Sequence, residues 1–260
     1  MHHQSGFNIR SLPGGLMVRW GRTVLGRKGP LRSRDGLAAL EFAMIAPLLV
    51  AGVAGLYDLS TALIAWKRVA MAAQSIAEIA TDLAATTSDT NILNVTKVTN
   101  ATSAAYAYLP TLLTAAPNAF GVTLSSVVMV PNPTTCTSAC TYTAHVAWSG
   151  VFQGSGAMRP CDARAGVSAL SFVADGSSPS STTLPVDMQS SGLPVLVVDV
   201  VYTFKPIFFT YIGANIQMAQ SAYFSPRTGL MSNWVQYFFA GAPDTTSLCP
   251  GYPASATNPP

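Results

Sequence analysis

Four cysteines are the residues whose type and spacing most directly indicate chemistry: Cys136, Cys140, Cys161 and Cys249. In an oxidising compartment, four cysteines allow three disulfide connectivities. We expect Cys136 to pair with Cys140 inside a Pro/Thr-rich loop, which leaves Cys161 to pair with Cys249 and hold the C-terminal tail. The alternative is a zinc site that uses Cys136, Cys140 and His145, because their spacing is within the range of zinc ligands. Other ligands are distant in the sequence, so we expect no metal and no cofactor.

Catalytic chemistry has little support. His145 lies in an alternating apolar run, residues 141–148, where a single histidine is far more often structural or solvated. Asp162, Asp175 and Asp187 occur singly in predicted loops, so no pair of carboxylates is spaced for acid–base catalysis. The sequence has no nucleophile elbow, phosphate-binding loop or His-Glu-x-x-His motif. We therefore expect the protein not to be an enzyme.

The charges are few and unevenly distributed. Only 10% of the 260 residues are charged, against about 25% in an ordinary soluble domain. Residues 1–36 hold seven Lys/Arg and one acid, whereas residues 37–260 hold seven bases and ten acids. Nucleic-acid binding requires a basic face, so the acidic main part of the chain excludes that class of function. The first 36 residues read as a basic cytoplasmic leader, which starts at Met1 or at Met17.

An apolar segment, residues 37–66, follows the leader and contains only two charged residues, Glu41 and Asp58. As a helix, residues 42–66 would be about 37 Å long, enough to cross a hydrocarbon core of about 30 Å. A secretory signal peptide would have a shorter apolar stretch, of about 7–15 residues. The excess of Lys/Arg before the segment predicts a cytoplasmic N-terminus, with Trp66 at the outer interface. Asp58 is expected at that interface, and a role as an assembly contact stays open.

The junction between leader and helix, residues 34–42, reads RDGLAALEF. It resembles the class III (type IV-like) prepilin cleavage site, at which a membrane prepilin peptidase cuts after the glycine. A cut after Gly36 would give Leu37 a free ammonium, with Glu41 one helical turn along on the same face. An acid in a lipid-facing helix is costly and indicates a partner, so Glu41 is expected to neutralise that ammonium in its own chain or in a neighbour. The alternative is an uncleaved signal anchor whose Glu41 lies among the headgroups.

Two segments indicate which family of prepilin-like proteins the chain resembles. Residues 41–49 (EFAMIAPLL), followed by Gly52, Gly55 and Tyr57-Asp58-Leu59, are similar to the start of the TadE/TadG-like family, the minor pseudopilins of the tight adherence (Tad or Flp) pilus. Residues 195–227 resemble that family's closing strand, aromatic-proline loop and final strand. The major Flp pilin is only a short helical peptide, so a chain of this length is expected to be a minor subunit.

The resemblance implies a structural or priming component, or a tip component, in pilus assembly and surface adhesion. Its partners would be the prepilin peptidase, other pilin and pseudopilin subunits, the inner-membrane assembly platform and the lipid bilayer, with no nucleic acid. Glu41 and Phe42 would act in assembly. The chain would cross the inner membrane once, with its head in the periplasm or, at a pilus tip, outside the cell. Two alternatives stay open: a minor pseudopilin of type II secretion, and a single-pass anchored periplasmic enzyme or binding protein.

The elements that would position these residues indicate an α+β fold. In it, a long N-terminal membrane-spanning pilin-type helix packs on a head that has a second helix and an antiparallel sheet. Val69, Ile76 and Leu83 recur at intervals of seven, so the membrane helix should continue to about Thr86. A second helix is predicted at about residues 90–108, with Ser88-Asp89 as its cap. Four β-rich runs predict the strands: 122–130, 141–148, 195–204 and 216–224.

The resulting organisation has four parts: a leader (1–36), a transmembrane helix (37–66), an α+β head (67–240) and a Pro-rich tail (241–260). In the run 195–204, alternate residues from Leu196 to Phe204 form one apolar face, and Asp199 falls on the other face. Residues 154–192 are rich in Ser, Gly and Thr and predict a long excursion on the surface.

Overall fold

The computed structural model of the protein describes residues 34–85, 91–108, 120–161, 170–174, 180–208, 215–226, 234–238, 246–250 and 252. Side chains are described at these positions except at residues 34–36 and 246. Residue contacts divide the chain into a unit that ends at Ala51 and a second unit that begins at Gly52. The described residues have the predicted α+β content: a long N-terminal apolar helix, and a head with an antiparallel sheet and helices.

The elements of the described residues are, in chain order, helix α1 (Arg34–Ala84), strand β1 (Ile92–Asn94), helices α2 (Val95–Ser103) and α3 (Ala105–Tyr108), strands β2 (Phe120–Asn132), β3 (Thr141–Gln153), β4 (Ser171–Val173) and β5 (Thr183–Pro185), a 3-10 helix (Val186–Ser190), and strands β6 (Val195–Phe204), β7 (Ile216–Phe224), β8 (Gln236–Phe238) and β9 (Thr246–Leu248). Strands β7, β6, β2, β3 and β9 lie side by side, in that order, in one antiparallel sheet. Two parallel pairs, β1 with β8 and β4 with β5, lie outside it. The predicted bounds of β6 and β7 are confirmed, whereas β2 and β3 extend beyond the predicted runs.

Helix α1 contributes its C-terminal part to the core of the head. Buried residues recur there every three or four positions, the period of one helix face, and polar residues such as Gln74 and Glu78 are exposed between them. The buried set comprises Ala65, Val69, Ala72, Ala73, Ile76, Ala77, Ala80 and Ala84. The predicted continuation of the apolar helix into the head is therefore confirmed, with its end at Ala84 rather than Thr86.

The apolar face predicted for β6 is buried as expected. Its members are all at most 7% exposed: Leu196, Val198, Val200, Tyr202 and Phe204. They belong to the same hydrophobic cluster as the buried stripe of α1. Fully burying a large apolar side chain is worth about 1.5–3 kcal/mol, so this shared core is a main source of the head's stability.

The predicted second helix, residues 90–108, is wrong in its N-terminal part. Its first described residues form β1, which pairs in parallel with the distant β8. Helix α2 begins after Asn94, whose side-chain oxygen accepts a hydrogen bond from the backbone N–H of Lys97 at 2.8 Å. This is an N-cap, which satisfies a donor that the helix itself leaves unpaired. The predicted cap, Ser88-Asp89, lies outside the described residues.

Part of the excursion, residues 154–192, lies on the second face of the sheet. Within it, Arg159 and Leu184 are only 1% and 0% exposed. Below it the sheet presents polar side chains, among them the buried Thr123. A Cβ added at Gly156 would overlap the hydroxyl of Thr123, so the backbone of the excursion lies directly on the sheet. The prediction of a surface location is therefore wrong for Arg159 and Leu184, whereas other described residues of the excursion, such as Val186 and Asp187, are exposed as predicted.

Candidate functional site

The N-terminal part of α1 exposes large apolar side chains, all around the helix as far as Val53 and on the side away from the head beyond it. They are between 46% and 74% exposed: Leu37, Leu40, Phe42, Met44, Ile45, Leu48, Leu49, Val50, Val53, Leu56, Tyr57, Leu59, Leu63, Ile64 and Trp66. The most apolar 18-residue window of this helix has a mean hydropathy of 2.1, and none of the window is buried. A helix that is apolar all round and yet uncovered suits a lipid environment. The segment is compatible with a single-pass membrane anchor.

The residues of the predicted cleavage and assembly site lie in the first turns of α1. The helix begins at Arg34, so the peptide bond after Gly36 lies within its first turn. Leu37 and Phe42 are 62% and 68% exposed, and Glu41 is exposed as well. Because residues four apart stand above one another on a helix, Leu37 and Glu41 share a face. An ammonium created at Leu37 would thus have the carboxylate of Glu41 as its neighbour.

Asp58, which is predicted to lie at the membrane interface, is 5% exposed because the head covers it. Its Oδ1 accepts a hydrogen bond from the backbone N–H of Ile207, and its Oδ2 accepts one from that of Phe208, each at 3.0 Å. Hydrogen bonds from backbone N–H groups to a carboxylate are charge-assisted and stronger than neutral ones. The sequence gives only one sign of this contact, a lone acid in an apolar helix, because the partners lie 149 and 150 residues further along.

An aromatic contact supports the same junction. The rings of Tyr57 and Phe208 lie edge to face, with centroids 5.6 Å apart and an interplanar angle of 88°. Phe208 and Ile207 are nevertheless 54% and 62% exposed. We refer to residues 205–208, which follow β6, as the β6 tip. Its backbone is bound to α1, while its two large apolar side chains remain largely uncovered.

The four cysteines form two disulfides, Cys136–Cys140 and Cys161–Cys249, which is the expected pairing. The first closes the connection between β2 and β3, and the second joins the excursion to the residue after β9. Zinc binds the thiolate form of cysteine. Since the sulfurs of Cys136 and Cys140 are bonded to each other, the alternative of a zinc site with His145 does not fit this arrangement.

The other candidate residues are His145 and three aspartates. The Nε2 atom of His145 lies 3.0 Å from the hydroxyl of Thr143 on its own strand. Asp187 is exposed in the 3-10 helix, and Asp162 and Asp175 lie outside the described residues. Across the ranges that the structure describes, no three or more His, Cys, Asp or Glu side chains are grouped to hold a metal ion.

A buried polar cluster under the excursion is the feature that the sequence reveals least. As predicted, Asp199 lies on the β6 face opposite the apolar one. It is bound there by the guanidinium of Arg159, and the hydroxyl of Ser221 donates to its Oδ1. Arg159 also donates from Nη1 to the carbonyl oxygen of Thr183 at 2.9 Å. Both carboxylate oxygens are engaged, so the cluster joins the excursion to the sheet. Its signals in the sequence are a single acid in an apolar strand and an arginine in a segment rich in small residues.

The chain was compared with known proteins in three ways. A scan against protein-family models, a search of curated proteins and a search of solved structures each found no match. The function is therefore inferred from the residues and their geometry.

Proposed function

We propose that the protein is a minor pseudopilin of the tight adherence (Tad) pilus, a structural subunit that primes assembly or occupies the tip and supports surface adhesion. In this proposal α1 crosses the inner membrane once, with the N-terminus in the cytoplasm and the head in the periplasm. Prepilin peptidase cuts after Gly36, and the new N-terminus at Leu37 pairs with Glu41. The assembly platform then moves the subunit among other pilin helices.

The main support for the proposal is that two parts of one continuous helix differ in exposure. A pilus subunit must leave lipid and pack on neighbouring helices without unfolding its head. The large apolar residues between positions 37 and 66 are exposed and available to lipid or to other helices. The stripe from Val69 to Ala84 is buried in the head and keeps the head attached during such a transfer.

Two further features support the proposed location and packing. Both disulfides belong to the head, and disulfides persist in the periplasm but are rare in the cytoplasm. On α1, a Cβ added at Gly52 would meet no atom within 4 Å. A small residue on an uncovered helix face allows another helix to approach closely.

The first test is the N-terminal sequence of the mature protein, purified from membranes of cells with and without prepilin peptidase. The proposal predicts a chain that begins Leu37-Ala38-Ala39-Leu40-Glu41, and a chain with an intact leader when the peptidase is absent. A chain that keeps its leader in both strains would contradict the proposal and indicate a plain anchor.

A variant at the cleavage site sharpens this test. Gly36→Val places a branched side chain at the cut, so the leader should be retained. Gly52→Ala is the matched control, since its added Cβ meets nothing within 4 Å on the same helix. It should be processed like the natural chain. Normal cleavage of Gly36→Val would contradict the proposal that the peptidase recognises Gly36.

A second variant separates cleavage from assembly. Glu41→Gln removes the carboxylate but keeps the shape of the side chain, so the leader should still be cut while incorporation into sheared pili falls several-fold. Glu78→Gln removes a carboxylate from the exposed side of the same helix and should assemble normally. Equal incorporation of both variants would contradict the proposed role of Glu41.

The machine itself can be identified by deletion. Loss of the Tad assembly platform should leave the cleaved chain in the membrane fraction and remove it from the sheared pilus fraction. If that loss has no effect and deletion of a type II secretion platform does, the subunit belongs to the secretion system instead.

A further inference from the structure

The β6 tip contacts α1 at Tyr57 and Asp58, within the apolar part of the helix. Beyond Asp58 the helix still exposes large apolar residues, with Leu59, Leu63 and Trp66 between 46% and 63% exposed. The first exposed basic residue after them is Lys67. At 1.5 Å per residue, Asp58 lies about 13 Å along the helix from Lys67, a distance close to the thickness of one hydrocarbon leaflet. The tip is thus held at a level of α1 that lipid would surround.

The side chains of the tip suit the same surroundings. Ile207 and Phe208 are 62% and 54% exposed, and they adjoin Tyr57 through the ring contact with Phe208. Large apolar side chains at the end of a loop, continuous with an uncovered apolar helix, form a patch that marks an interaction surface. Lys205, at the start of the tip, is exposed. A lysine there can extend its amine to lipid headgroups while its stem lies along apolar surface.

The hydrogen bonds of Asp58 explain how a carboxylate is accommodated in the apolar part of α1. A charged side chain in the membrane part of a helix costs about 2.5–3.5 kcal/mol on insertion scales. Here each carboxylate oxygen accepts a backbone N–H, from Ile207 and from Phe208. These two amides supply the hydrogen-bond donors that a carboxylate shielded from water requires, so Asp58 can lie at a level of the helix that lipid surrounds.

We propose that the β6 tip inserts into the outer leaflet of the membrane beside α1, with Ile207 and Phe208 in contact with lipid acyl chains and Lys205 at the headgroups. The occupant of this surface is therefore a lipid bilayer, and Asp58 is the residue that positions the tip. The inference rests on α1 spanning a membrane but not on the chain being a pseudopilin.

The test uses the full chain in nanodiscs made of phosphatidylethanolamine and phosphatidylglycerol. All four native cysteines are in disulfides, so a cysteine introduced by Ile207→Cys is the thiol that an environment-sensitive fluorophore labels. Val186→Cys, on the 3-10 helix of the head at 42% exposure, is the aqueous control, and Ile64→Cys on α1 is the lipid control. Nanodiscs leave both membrane faces open to soluble quenchers.

We expect the label at position 207 to be quenched several-fold more by spin-labelled acyl chains than the label at position 186, and less by iodide. Quenching by iodide to the same extent as at position 186 would overturn the inference. Quenching by neither agent would overturn it as well, because another protein surface, such as a second copy of the chain, would then cover the tip.

A positioning variant tests the part played by Asp58. Asp58→Asn replaces one of the two acceptor oxygens with an amide donor, so the label at position 207 should become more accessible to iodide. Asp82→Asn, an acid on the exposed side of α1 in the head, should leave the quenching unchanged. Unchanged quenching in Asp58→Asn would contradict the positioning role. The N-terminal sequence is an independent readout: a cleaved chain with an iodide-accessible tip contradicts only this inference, and an uncleaved chain with a lipid-quenched tip contradicts only the proposed function.

Discussion

The guanidinium of Arg159 forms a two-pronged ion pair with the carboxylate of Asp199. Nε lies 2.8 Å from Oδ2 and Nη2 lies 2.8 Å from Oδ1. The arginine side chain is fully buried and the aspartate side chain is 13% exposed. Such a pair fixes orientation as well as distance, since both groups are planar. It therefore holds the excursion in one register on strand β6.

Loss of one partner of this pair should be severely destabilising. Arg159→Met leaves the carboxylate of Asp199 buried without its guanidinium, and breaking a buried pair in this way typically costs about 3–5 kcal/mol. Guanidinium-chloride unfolding of the full chain in detergent, followed by tryptophan fluorescence, measures the change. Asp187→Asn, at an exposed site, should stay within about 0.5 kcal/mol. The double variant Arg159→Met/Asp199→Leu should recover part of the loss, and a double variant as unstable as the sum of the single ones would contradict the pairing.

The two disulfides should differ in their effect on stability. Cys161–Cys249 joins residues 88 positions apart, whereas Cys136–Cys140 joins residues 4 apart. In the chain-entropy model, the long loop is worth about 4–5 kcal/mol and the short one about 2 kcal/mol. Replacing each pair by alanines, in separate variants, and comparing the unfolding midpoints measures this difference. Equal losses would mean that strain or residual structure outweighs loop length.

Gly154 should tolerate no side chain. Its φ is +58°, a left-handed conformation, and an added Cβ would overlap the carbonyl oxygen of Phe120. The left-handed backbone alone costs a residue with a Cβ about 1–2 kcal/mol, and moving Phe120 adds to that. Gly192→Ala, where φ is +62° and the overlap is with the ring of Tyr142, should cost less because a side chain can move. Unfolding midpoints of the two variants, with Gly52→Ala as the unstrained control, decide the order.

Stability should fall in alkaline solution because of Tyr202. Burial raises the pKa of Tyr202 above its ordinary value of 10.0. Above pH 10 the unfolded chain therefore releases this proton while the folded chain keeps it, and stability decreases as the pH rises. Tyr202→Phe should remove that decrease, whereas Tyr106→Phe, at an exposed residue, should retain it. Burial lowers the pKa of Lys97 and acts in the opposite direction below pH 10.5, so the variants are compared with the natural chain at each pH.

The sequence predicts those elements whose burial is decided by local periodicity. The alternation in β6 and the helical spacing in α1 each indicate side chains that enter the core. The β6 face, Val69 and Ile76 are buried as predicted, and Leu83 is partly buried. Strand β7 has the expected bounds as well, since its run of β-rich residues is clearly delimited. The exposed apolar part of α1 follows from composition alone.

The remaining features depend on partners far away in the chain. Residues 92–94 have no local reason to leave a helix, but β8 offers them a parallel neighbour, which outweighs helix propensity. The excursion contains many residues typical of loops, yet Arg159 finds its counter-ion 40 residues further along. Asp58 has an even more distant partner. Charged residues in apolar or small-residue segments were the available signals in the last two cases, and such residues do not identify their partner.

The binding of the β6 tip by Asp58 also has a mechanical consequence. The head is held on α1 at two levels, by the buried stripe from Val69 to Ala84 and by the two amide contacts at Asp58. A pulling force along the helix would act on both attachments at the same time, parallel to the contact surface. The two attachments would therefore not break one after the other. A torque about the helix axis would meet the same resistance, because two separate points of fixation prevent a rigid body from swivelling on a rod. A force applied to the head would therefore be transmitted to the helix with little relative movement between the two.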